Sequence, residues 1–118
     1  MLNKLLGEIR KFNEERDWAQ YHSPKNLATS VLIEAAELAE IFQWRTEGES
    51  RNLEGAAKKA AEEEIADVFI YLLNLADKLG IDPVEASHKK ILKNALKYPV
   101  NASRGSRLKY TELKEGNN

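Results

Sequence analysis

Apolar residues recur along the start of the chain at the three- and four-residue intervals of a helix. Leu2, Leu5, Leu6, Ile9 and Phe12 fall on one side of an amphipathic helix predicted over residues 2–16, ending before DWAQYHSP. Ser23 and Pro24 then form a start signal, a hydroxyl to cap free N–H groups and a proline whose fixed φ suits the first helical position. The helix they open is predicted to reach about Trp44, roughly 30 Å at ~1.5 Å per residue. RTEGESRNLEG breaks the pattern with two glycines and mixed charge, and reads as the longest internal loop. A third helix, AAKKAAEEEIADVFIYLLNLADKL, stops at Gly80, a natural C-terminal cap. Asp82, Pro83 and Glu85 open a fourth, PVEASHKKILKNALKY, which Pro99 closes. No stretch before the tail sustains the alternation of a strand. The expected fold is all-α, an antiparallel four-helix arrangement over residues 1–99, with 100–118 a C-terminal extension of the same domain.

Composition narrows the classes. With 118 residues, 42% hydrophobic and 31% charged, the chain has the make-up of one globular domain. No apolar run reaches the ~18 residues of a membrane span. The opening MLNKLLGEIRKFNEERDW mixes charge with apolar residues and is not read as a secretory signal, so a cytoplasmic location is expected. A net charge of -1 with dispersed basic residues argues against a general nucleic-acid or membrane-surface binder. The absence of cysteine excludes disulfides and thiolate metal sites.

The chemistry lies in carboxylates set into apolar helices. In VLIEAAELAEIFQW, Glu34 and Glu37 lie about 60° apart on one helix face, whereas Glu40 is rotated further towards solvent. On the third helix Glu64 and Asp67 repeat the spacing, and Tyr71, Asn74 and Lys78 continue the strip. That helix is apolar nearly all round, so its polar strip is not simply a face turned to water. Either pair alone is more often a solvated face. An antiparallel pairing would bring both together, and their coincidence points to a site. Like charges at ~4 Å cost about 1 kcal/mol in water and about 4 at an effective dielectric of 20. A cation must compensate them. Four hard oxygen ligands without cysteine or histidine suit Mg2+ or Mn2+ better than Zn2+. A di-iron bundle would need paired Glu-x-x-His motifs, and of His22 and His88 only His88 follows a glutamate at that spacing. Mg2+ on a few carboxylates typically serves substrate phosphates, which directs attention to nucleotide chemistry. No Walker-type glycine loop is present, so metal and side chains must hold the phosphates.

The blocks ERDWAQYHSPKNLA, EAAELAEIFQW, EEEIADVFIYLL and KYPVNASRGSRLKYTEL carry a resemblance over nearly the whole chain, Trp18 through Leu113. They resemble the all-α nucleoside triphosphate pyrophosphatases of the MazG-like group, specifically the dCTP pyrophosphatase branch. The resemblance implies a MazG-like four-helix bundle that cleaves the α-β phosphoanhydride of dNTPs, dCTP-like ones preferred, to monophosphate and pyrophosphate. It implies that Glu34, Glu37, Glu64 and Asp67 are both the catalytic residues and the Mg2+ ligands. Trp18 to His22, Trp44 and Tyr71 match positions around the nucleoside, and Lys90 and Asn94 match a Lys-x-x-x-Asn for the phosphates. At Ile9 the chain departs from a histidine that human-type dCTP enzymes place near the base.

Lys25 and Asn26, beside a helix N-terminus, are further candidates for phosphate contact. Arg104, Arg107 and Lys109 are candidates for a phosphate or a neighbouring subunit. Helices this apolar on so short a chain leave hydrophobic surface for self-association, and the resemblance implies a homotetramer built as a dimer of dimers. The competing classes are a non-catalytic helical interaction module and a same-fold hydrolase preferring dUTP or another phosphoanhydride.

Overall fold

Local capping chemistry sets the helix ends. In the computed structural model, which describes residues 1–109 and 111–112, Ser23 Oγ accepts the amide of Asn26 at 3.2 Å with Pro24 at the first helical position. Asp82 likewise accepts the amides of Val84 and Glu85 at 3.0 and 3.2 Å. The elements are α1 (Leu2–Glu15), a 3-10 turn (Ala19–Tyr21), α2 (Pro24–Phe42), α3 (Glu47–Arg51), α4 (Gly55–Lys78), α5 (Pro83–Lys97) and α6 (Val100–Ser103). Every regular element among the described residues is helical. Tyr110 and residues 113–118, which include the end of the KYTEL block, lie outside the described residues.

Two elements differ from expectation. The segment read as the longest loop contains α3, because Thr46 and Glu49 form a reciprocal capping box that outweighs Gly48. Helix α2 stops at Phe42, and Arg45 closes its end by donating from Nε to the Ile41 carbonyl at 2.9 Å. Trp44 therefore sits in a turn and not on the helix.

The chain forms two units, Met1–Ile81 and Asp82–Asn118. In the first, α2 and α4 pack along one another and α1 packs on α4. Ile9, Leu27, Ala61, Leu73 and Ala76 are its buried apolar side chains. Burying a leucine such as Leu27 contributes about 2 kcal/mol, and alanines allow close helix approach. Helix α1 is also tied to α4 by an Arg10–Asp77 ion pair and by a hydrogen bond from Asn13 Nδ2 to Asn74 Oδ1 of 2.9 Å. In the second unit, α5 is followed by α6, and an exposed Glu85–Lys89 pair spans one turn of α5.

Two chain reversals share one geometry. Gly80 follows α4 with φ +65°; its amide bonds the Asp77 carbonyl, and that of Ile81 bonds Ala76. Asp17 follows α1 with φ +51°, with Asp17 N on Glu14 O and Trp18 N on Asn13 O. Asp tolerates this left-handed conformation better than most residues. The turn folds Trp18 back so that its ring meets Phe12 edge-on, centroids 5.5 Å apart. At Gly80 an added Cβ would meet no atom within 4 Å, so its cost is conformational alone. Gly80→Ala is expected to lower stability by about 1 kcal/mol, seen as a lower urea midpoint with an unchanged m-value.

Candidate active site

Three carboxylates converge between α2 and α4. Glu34, Glu37 and Glu64 each place an oxygen within 4.8 Å of the others. Glu34 and Glu64 are half-buried, and the Oε2 atom of each is hidden from solvent without a hydrogen-bond partner. Burial first, then Glu37 and the other acidic neighbours, push the Glu34 carboxyl up to about 7. Glu64 is raised as well, by burial and then by Glu37 and Asp67. Hidden, unpartnered anionic oxygens are costly, and a divalent cation is the compensation that this all-oxygen donor set fits. Asp67 stands one turn beyond Glu64, close enough to raise both carboxyls, and outside the tight three-membered group. Glu40 is exposed.

Asp67 also lines a cleft of about 390 Å³ in the same unit, within the range of small-molecule sites. Helix α1 supplies Leu5, Ile9 and Phe12 together with Glu8 and Asn13. The turn after α1 supplies Trp18 and His22, and α4 supplies Asp67, Ile70, Tyr71 and Asn74. The wall is largely apolar, and Trp18, 41% exposed, stands where its ring can stack on a flat ligand. His22 meets Trp18 edge-on at 6.3 Å. Burial, with help from Lys78, lowers the His22 pKa, so its imidazole is neutral at pH 7.

Of the residues singled out in the sequence, the structure gathers Trp18, His22, Asp67 and Tyr71 around the cleft, with Glu34, Glu37 and Glu64 clustered together. Trp44 is outside the cleft lining and 88% exposed. Asn26 has local work, donating from Nδ2 to the Tyr21 carbonyl at 3.0 Å, while the Lys25 carbonyl accepts from Thr29. Lys90 is exposed and Asn94 half-buried, both on α5 in the second unit, where Arg104, Arg107 and Lys109 are exposed. On the α1 face of the cleft only Ile9 is placed near a base by the resemblance. Leu5 and Phe12 are legible only as an apolar stripe, and such a stripe serves a core and a cleft equally well. Asn13 carried no separate signal.

Residues 29–113 match the MazG-like family. The dCTP pyrophosphatase 1 of Rattus norvegicus is 42% identical over 117 residues, spanning 94% of this chain and 69% of that protein. The human protein of the same name is also 42% identical over the same shares. Among solved structures, a pyrophosphatase from Archaeoglobus fulgidus superposes with a TM-score of 0.79 at 50% identity, over 83% of this chain and 92% of that one. The half-buried carboxylate cluster on paired helices and these likenesses lead to one assignment: the chain belongs to the MazG-like family.

Proposed function

We propose that this chain is a Mg2+-dependent nucleoside triphosphate pyrophosphohydrolase that cleaves dNTPs, dCTP-like ones preferred, to dNMP and pyrophosphate. The observation that carries this reading is the adjacency of two features within one unit, a cluster of under-compensated carboxylates and a nucleoside-sized cleft, with Asp67 lining the cleft and standing close enough to the cluster to raise Glu34 and Glu64. Pyrophosphatase relatives that include dCTP pyrophosphatase 1 at about 42% identity support it.

Glu34, Glu37, Glu64 and Asp67 hold the metal in this reading, with Mn2+ as the alternative ion. When bound, the ion supplies Lewis-acid polarisation of the phosphoanhydride and a water of lowered pKa. One carboxylate of the set takes the proton of the attacking water. Trp18, His22 and Tyr71 hold the nucleoside, the neutral His22 as a hydrogen-bonding edge and not as a charged group. Lys25, Asn26, Trp44, Lys90 and Asn94 are assigned to the substrate by the sequence pattern alone.

The whole chain acts as one domain, 1–99 with its extension, in a cytoplasmic homotetramer. Exposed Leu32, Ile33, Ile65, Phe69 and Leu92 support self-association. No described helix is long and apolar enough to cross a membrane. A panel of canonical and modified NTPs and dNTPs with Mg2+, resolved for products, tests the activity. Monophosphate with pyrophosphate, fastest from dCTP-like substrates, is expected; orthophosphate release, or no turnover of any member, would sink the reading.

A further inference from the structure

One polar feature of the cleft is used neither by the carboxylate cluster nor by the aromatic edge. Asn74 is only 7% exposed, the buried polar side chain of an otherwise apolar core, and it lines the cleft beside Ile9 and Ile70. It is bonded to Asn13 across the α1–α4 contact at 2.9 Å. Core contact between α1 and α4 alone would be served as well by apolar side chains of the same size, since a buried amide pair contributes little net stability. What such a pair adds is a hydrogen-bonding edge in an apolar setting.

The arithmetic of that edge is specific. The bond uses one donor of Asn13 and one acceptor lone pair of Asn74, which leaves an acceptor oxygen on Asn13 and a donor amide on Asn74. Turning both amides about their terminal torsions preserves the link and exchanges the two polarities. The pair can therefore meet a partner that offers donor then acceptor, or acceptor then donor. Cytosine presents an amino donor beside an acceptor ring nitrogen; uracil and thymine present a carbonyl acceptor beside a ring N–H donor.

Position agrees with chemistry. Glu64, Asp67, Tyr71 and Asn74 follow at intervals of three, four and three along α4, one continuous strip. From Glu64 to Asn74 the helix rises about 15 Å. The carboxylates occupy one end of that strip, the sugar-sized Tyr71 position its middle, and the amide pair the other end, next to the aromatic edge of Phe12 and Trp18.

We infer that the Asn13–Asn74 amide pair reads the Watson–Crick edge of a pyrimidine base, and that its reversible polarity lets the enzyme accept uracil or thymine substrates as well as the preferred cytosine ones. This rests on the pyrophosphohydrolase reading above. Asn13→Asp fixes the polarity: the carboxylate can only accept, so Asn74 turns its donor to it and both outer atoms become acceptors. Such an edge meets only the donor of either base, the cytosine amino group or the uracil ring N–H, and repels the acceptor beside it.

The test measures kcat/KM for dCTP, dUTP and 2-deoxyribose 5-triphosphate, which lacks a base, in wild type, Asn13→Asp and Asn13→Ala, with Tm as a check on folding. The expected result is a wild-type dCTP/dUTP ratio within about tenfold of unity, kept in Asn13→Asp while both nucleotides fall about tenfold relative to the baseless triphosphate. Asn13→Ala should lower both nucleotides relative to the baseless triphosphate by about tenfold. Active variants whose ratios of nucleotide to baseless triphosphate equal those of wild type would overturn the inference and leave the pair a tether between α1 and α4. A wild-type enzyme inactive on every triphosphate would instead fail the parent reading, and the inference with it.

Discussion

Glu37→Gln is expected to lower pyrophosphate release by about two to three orders of magnitude, with the sedimentation coefficient unchanged. Glu37 is the exposed member of the three-carboxylate cluster and contributes to the raised affinity of both Glu34 and Glu64 for protons. Replacing it with an amide keeps the shape and removes a charge, so the metal site weakens while the helices feel less repulsion. Loss of turnover should therefore come with equal or higher stability in the metal-free protein. Asp67→Asn should give the same loss of turnover. Turnover within tenfold of wild type in either variant would remove the carboxylates from the mechanism.

Stripping divalent ions is the second large effect. EDTA is expected to abolish turnover, and Mg2+ restored to a hundred times its Kd should raise unfolding stability by about 2.7 kcal/mol. Turnover that survives chelation would end the metal mechanism. The metal-free protein has its own signature in pH. Glu34 titrates near 7 when folded against an ordinary 4.5. Between those values the folded chain holds a proton that the unfolded chain has released, so stability falls as pH rises from about 4.5 to 7 and stays low above. Glu64, also raised, acts in the same direction. In EDTA, the Tm of wild type should drop across this window, and Glu34→Gln should flatten the slope. An equal slope in that variant would show that the cluster is not its source.

How much could be read in advance followed from how local each signal is. The four long helices were legible because caps and periodicity are encoded within a few residues: Ser23 with Asn26, Asp82 with Glu85, Gly80 after Lys78. The carboxylate pairs were legible because charge on an apolar helix stands out. Helix α3 was obscured by Gly48, although Thr46 and Glu49 held the decisive capping pattern. Trp44 belongs to the helix of Glu34 and Glu37 only if α2 continues past Phe42, where it ends. Apart from Ile9, the α1 wall stayed hidden for a different reason. Whether an apolar stripe meets a neighbouring helix or an open cleft depends on where the chain turns next, and here a left-handed Asp17 decides that turn.

Helix α4 carries both the acidic cluster's Glu64 and the amide at the far end of the cleft on a single unbroken span. That makes it a fixed gauge, graduated in helical turns. If the Asn13–Asn74 pair reads the base, a substrate is sorted by its reach as well as by its base, and a change in those amides retunes which nucleotide is admitted without altering where along the triphosphate the cut falls. Lengthening or kinking α4 between Asp67 and Asn74 is then expected to move the point of cleavage relative to the base.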